Sequence, residues 1–137
     1  MGPGCVVSPC KKKFSVALSP DDSYEMLLKL IKAGMETTFY EPVSETTIYA
    51  NPIDILLAEA KITKTFANTY QLSAADYLEC FGIKPSVKDS DRGWIMECIR
   101  EVGENILDFD NILTTDGFYY IRPTRIPCDG YLGCFDS

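Results

Sequence analysis

The chain has no histidine. That removes the commonest general base, the side chain that titrates near physiological pH and the commonest metal ligand. Ser-His-Asp and Cys-His arrangements are excluded within one chain. Catalysis would fall to carboxylates, Lys, Tyr or Cys, and no motif arranges these for a reaction. A non-enzymatic protein without a cofactor is expected. Long apolar runs are also missing, so no segment is expected to span a membrane. The opening residues MGPGCVVSPCKKKF place lysines after a short apolar piece, the reverse of a secretory signal. Val6 breaks the myristoylation pattern. The expected location is the cytoplasm of a host cell.

The length, 137 residues, suits one domain with a real core, and 46% hydrophobic against 24% charged residues reads as globular rather than disordered. Repeats and low-complexity tracts are absent. Of the six cysteines, Cys80 and Cys98 fall in helical patterns and read as small buried hydrophobes. Cys5, Cys10, Cys128 and Cys134 flank the chain ends. Their Cys-x4-Cys and Cys-x5-Cys separations are wider than the usual zinc knuckle. Free thiols and no bound metal are expected.

Gly, Pro and capping residues divide the chain. Residues 1–13 read as a mobile leader, 14–127 as one domain and 128–137 as a Gly- and Cys-containing tail. FSVAL, from Phe14 to Leu18, reads as a short strand. Ser19-Pro20-Asp21-Asp22 opens a helix whose apolar stripe is Tyr24, Leu27, Leu28 and Ile31, and Gly34 closes it. The β-branched and aromatic runs at 37–40 and 46–49 predict a hairpin. Asn51-Pro52 opens a helix to about Asn68, with Ile53, Leu56, Leu57, Ala60 and Ala67 at helical spacing. Ser73 opens a short helix through Tyr77, Leu78 and Phe81, stopped by Gly82. Residues 84–91 read as a polar loop. Trp94, Ile95, Cys98, Ile99 and Val102 predict a further helix. A strand over 106–113, an Asp116-Gly117 turn and a strand over 118–122 make a second hairpin. The expected fold class is α+β, a small antiparallel sheet of two hairpins packed against three to four helices.

Several pieces form a pattern: Phe39-Tyr40-Glu41, Ala58-Glu59-Ala60, the run from Leu72 to Ile83, Gly93-Trp94, Leu107-Asp108-Phe109 and Asp116-Gly117. Over residues 39–121 the chain resembles an uncharacterised domain family of gut Firmicutes and their phages, a domain of unknown function. The stretch from Arg100 to Ile106 departs from it, since members carry an aromatic residue leading that strand. The resemblance implies a phage or mobile-element setting and moves no catalytic residue onto this chain.

Net charge is −7, and the stretch from Asp89 to Asp116 sets eight acids against Arg92 and Arg100. Glu97, Glu101 and Glu104 share one helical stripe, Asp108 and Asp110 alternate on the next strand, and Asp116 stands at the turn. Such a surface favours a host protein with a basic face and repels nucleic acid and anionic membranes. The expected function is a phage or mobile-element inhibitor of a host defence complex, with these six acids as the partner site. A second reading is a sponge for a small anionic nucleotide signal held by Tyr119, Tyr120, Arg122 and Arg125, since rings beside guanidinium groups hold nucleotides. A third is a structural or virion-associated module. Free nucleic acid should not bind: a mobility-shift titration at low salt should show no complex up to about 10 μM protein, within the range of ordinary non-specific affinity.

Overall fold

The computed structural model describes residues 14–95 and 107–129. Helix α1 (Pro20–Ala33) begins and ends where the capping residues place it. Ser19 Oγ accepts from the Asp22 amide at 3.1 Å, and Gly34 sits in the left-handed region at φ 68. Its buried face is narrower than the expected stripe. Leu27 is fully buried, whereas Tyr24 and Leu28 are exposed. Ser23 takes an inward position instead: its hydroxyl accepts from the Leu113 amide at 3.0 Å, tying α1 to the strand it packs on.

Strands β1 (Thr37–Glu41) and β2 (Thr46–Ala50) form the expected hairpin. Helix α2 (Pro52–Thr69) follows, with Asn51 Oδ1 accepting from the Ile53 amide at 2.9 Å. The expected apolar stripe of α2 is a different face from the buried one. Ile55, Ala58, Glu59, Ile62 and Phe66 turn inward, and Ile53, Leu57, Ala60 and Ala67 turn out. Apolar residues lie on both sides of this helix, and the set containing Ile55, Ile62 and Phe66 removes more apolar surface from water than the set rich in alanine. Strand β3 (Gln71–Ser73) leads into α3 (Ala74–Cys80), where Ser73 Oγ accepts from the Asp76 amide at 3.0 Å.

Residues 84–91, expected as a loop, contain a 3-10 turn over Val87–Ser90 and the buried Asp89. Strand β4 (Arg92–Ile95) then corrects the helix expected from Trp94. Trp94 and Ile95 are both buried, and a short doubly buried strand is a plain apolar run that lacks the alternation of a one-sided strand. The remainder of that expected helix lies outside the described residues. Strands β5 (Phe109–Leu113) and β6 (Tyr119–Pro123) form the second hairpin, with Gly117 at φ 94 in the turn. Strand β7 (Cys128–Asp129) corrects the tail expected from residue 128, since it pairs with β4.

The fold is α+β. The two hairpins join through a parallel pair, Phe39 beside Tyr119 and Tyr40 beside Tyr120, giving a mixed sheet in the order β2-β1-β6-β5 rather than a wholly antiparallel one. A second sheet, β3-β4-β7, was not foreseen. Phe14 to Leu18 makes only an isolated bridge, Val16 to Thr114, yet it lays Phe14 among Tyr40, Phe118 and Tyr120 on the sheet's outer face. The inner face carries Phe39, Glu41, Asn111, Tyr119 and Ile121. The core joins Phe39, Tyr119 and Ile121 to Leu27, Ile62, Phe66, Tyr77 and Trp94. Among the described residues no helix is long and apolar enough to cross a membrane.

Glu41 has no solvent exposure. Its carboxyl group accepts from the Val43 amide at 2.9 Å, the Ser44 amide at 2.7 Å, Ser44 Oγ at 2.6 Å and Tyr77 Oη at 2.7 Å. Burial and the adjoining Glu41 push the Tyr77 hydroxyl well above its usual value, so it stays a donor. Arg92 extends this cluster. It donates to the Val43 carbonyl at 3.3 Å and pairs with Asp89 at 2.8 Å. Beside it, a methyl group on Gly93 would collide with the Leu72 carbonyl oxygen and Ser73 Cα of β3. Removing one donor from a buried acceptor costs about 1–3 kcal/mol. Tyr77→Phe should lower the unfolding free energy in urea by that amount, and Gly93→Ala should lower it further by forcing β3 from β4.

Candidate functional site

A cleft among the described residues brings several titratable groups around open volume. It lies between α1, α2 and the start of β5 and encloses about 870 Å³. Leu56, Glu59, Ala60, Thr63, Lys64 and Ala67 line it from α2. Their spacing of three and four is one helical face. From α1 come Pro20, Asp21, Tyr24 and Glu25, again one turn apart, and from the β5 side Asp108, Phe109, Asp110 and Asn111. Thr63 Oγ1 donates to the Leu107 carbonyl at 2.8 Å and fixes the start of β5 against α2.

Glu59 and Asn111 form the floor. Each is only 7% exposed. Asn111 Nδ2 donates to Glu59 Oε1 at 3.0 Å. Glu59 Oε2 and Asn111 Oδ1 are buried without a hydrogen-bond partner. Burial pushes the Glu59 carboxyl up to about 8, the hydrogen bond from Asn111 opposes this, and the charges of Asp108 and Asp110 add to the rise. The Glu59 carboxyl accepts one hydrogen bond, whereas that of Glu41 accepts four. Chemically the floor offers two bare acceptor atoms when Glu59 is ionised.

The sequence-predicted acids divide into three groups. Glu97, Glu101 and Glu104 lie outside the described residues. Asp108 and Asp110 line the cleft. Asp110 also pairs with Arg122 across the hairpin at 3.0 Å, both side chains about half exposed, a contact worth little in water. Asp116 is exposed in the turn at the opposite end of that hairpin. Of the residues of the sponge reading, Tyr120 and Arg122 line one small hollow of about 130 Å³ with Phe14, but Tyr119 does not join them. Tyr119 faces the core beside Phe39, ring centroids 5.6 Å apart, whereas Tyr120 stacks on Tyr40 on the outer face at 6.0 Å. The Arg125 carbonyl accepts from Trp94 Nε1 at 2.7 Å. Cys128 lies in β7, and Cys5, Cys10 and Cys134 lie outside the described residues. Among the described residues no three cysteine or carboxylate side chains gather as a metal site.

Asp21, Glu25, Glu59 and Asn111 are members of the cleft that sequence reasoning missed. A signal for Glu59 was present: Ile55, Ile62 and Phe66 define a bulkier stripe that includes it.

The raised carboxyl sets a pH dependence of stability. Glu59 shifts from 4.5 to about 8 on folding. Between those values the unfolded chain gives up this proton and the folded chain keeps it. The unfolded state therefore binds fewer protons, and stability falls as pH rises through that window. At pH 7 this group removes roughly 3 kcal/mol relative to its fully protonated state, at about 1.4 kcal/mol per pH unit. Glu59→Gln should raise the melting temperature at pH 7 and flatten its decline between pH 5 and pH 8, measured by thermal scans across that range.

Comparison with curated proteins and with solved structures gives no match. A family model does match, over residues 13–124, and so takes in α1, both hairpins, the cleft and its Glu59–Asn111 floor. The chain belongs to DUF6353, a family of unknown function.

Proposed function

We propose that this is a non-enzymatic binding protein whose cleft receives a basic surface of a partner protein. The observation that carries this reading is the convergence of acids from three elements. Asp21 and Glu25 come from α1 and Asp108 and Asp110 from the β5 side, with Glu59 of α2 contributing a carboxyl that burial keeps protonated at neutral pH and Lys64 as the basic residue of the described lining. Low-dielectric walls around charges of one sign strengthen the field at the mouth of a cleft. Such a field draws cationic partners and speeds encounter. The setting we propose is that of a phage or mobile-element inhibitor of a host defence complex, where occupying a basic site is enough to block function. The sponge alternative has less support, because Tyr119 belongs to the core and Arg122 is paired with Asp110.

An arginine-rich peptide stands in for the basic surface. It should associate with the protein rapidly at low ionic strength and more slowly in physiological salt, as the Debye length falls from about 30 Å at 0.01 M to about 8 Å at 0.15 M. Asp21→Asn combined with Glu25→Lys should slow association at least several-fold and leave the fold intact, whereas Arg122→Ala with Arg125→Ala should not. Biolayer interferometry measures both. A peptide that binds the acid-reversed protein as fast as the wild type would overturn the assignment of the cleft.

A further inference from the structure

The cleft's floor is more specific than its rim. Acids around a mouth attract any cation. Two buried acceptors without partners, on side chains bonded to one another, do more, because they are costly to leave empty and ask for donors of defined geometry. Glu59 spends Oε1 on Asn111 Nδ2, at 3.0 Å, and that bond orients both groups. Glu59 Oε2 and Asn111 Oδ1 are what remain. Phe109 and Tyr24 line the same cleft with aromatic rings, and Leu56 adds an apolar wall. Phe109 is itself held by stacking on Tyr77, centroids 6.1 Å apart.

We propose that the Glu59–Asn111 floor is the receptor for one guanidinium group, an arginine side chain of the partner, with Glu59 Oε2 and Asn111 Oδ1 each accepting from it. A guanidinium is a planar fork of donors that can meet two acceptors at once and stack on an aromatic ring, whereas an ammonium is a compact point charge. This inference rests on the reading of the cleft as the dock for a basic partner, and it adds the group recognised and the two atoms that recognise it. The flat cation would enter past Asp108 and Asp110 and bring a positive charge to a carboxyl that is protonated at neutral pH when the cleft is empty.

Binding therefore displaces a proton. The Glu59 carboxylic acid releases its proton to solvent and the resulting carboxylate accepts from the guanidinium, which keeps its own charge. Below about pH 8, where empty Glu59 holds its proton, each unit of falling pH should weaken binding about tenfold. Among the described residues the other charged and titratable groups around Glu59 are Asp21, Tyr24 and Glu25 on α1, Lys64 on α2, Asp108 just before β5, Asp110 within it and its partner Arg122 on β6, and Tyr77 on α3. Glu59→Gln retains every one of them, removes the titrating group and exchanges one carboxyl oxygen for an amide NH2, so it should lose both the proton release and one acceptor.

The probes are methylguanidinium, methylammonium and an arginine-rich peptide. Methylguanidinium should shift the Asn111 side-chain amide resonances of the wild-type protein saturably, and methylammonium should do so at least several-fold more weakly. Calorimetry of the peptide in two buffers of different ionisation enthalpy should show close to one proton released at pH 7. Glu59→Gln should abolish that release and weaken the peptide about tenfold or more. If the peptide binds wild type and Glu59→Gln equally well, with salt dependence and no proton release, the basic partner reading stands and the guanidinium receptor is wrong. If the two small cations bind alike, the planar assignment is wrong. If the peptide does not bind the wild-type protein at all, both readings fall together.

Discussion

The structure depends on one buried carboxyl group. Glu41 ends β1 at the point where the first hairpin must meet α3 and the second sheet, and its oxygens take donors from Val43, Ser44 and Tyr77. An acid without solvent contact is tolerable only when its lone pairs are occupied. The loop between β1 and β2 is therefore shaped around it. Arg92 then reaches the Val43 carbonyl and Asp89, which ties β4 to the same loop. Three separate elements are held by hydrogen bonds that converge within a few residues. The apolar core supplies the bulk of the stability, but nothing in a set of aliphatic contacts would fix these elements in one orientation so narrowly.

Glu59 is the contrast that makes the cleft interesting. Both glutamates are buried against the inner face of the four-stranded sheet. One is fully satisfied and the other carries a bare oxygen beside a second bare oxygen on Asn111. The first arrangement belongs to architecture. The second weakens the folded state at neutral pH, and proteins keep such local penalties mainly at places where something else is gained. The two acids also differ in surroundings: donors crowd Glu41, whereas Asp108 and Asp110 raise the energy of any negative charge on Glu59.

Local chemistry made much of the fold legible in the sequence. Ser19, Asn51 and Ser73 each mark a helix start by the hydrogen bond they accept, and Asp116-Gly117 marks the second hairpin. These are decisions made within four residues. What escaped was decided over longer distances. The parallel pairing of β1 with β6 has no local signature, and β4 is too short for periodicity to separate strand from helix. On α2 the apolar residues cover two faces, so the inward one was set by partners in the sheet. That error hid Glu59, and with it the floor of the cleft, although Asp108 and Asp110 at its rim were legible as acids on one strand. The pieces that carried the family resemblance are largely the structural necessities: Glu41 the hub, Gly93 the close approach, Trp94 the core, Gly117 the turn.

The parallel joint between the hairpins also bears on how the chain assembles. Each hairpin closes over a handful of residues, but Phe39 meets Tyr119 only after the intervening chain has been gathered in. Loop closure of that length is paid before any contact rewards it, so folding waits on this step. The hairpins and α1 to α3 can form early and locally. The cleft cannot, because α2 and β5 face one another only when the second hairpin has docked. A nascent chain would thus expose its aromatic sheet faces until synthesis reaches β6, and the acidic cleft would come into being last.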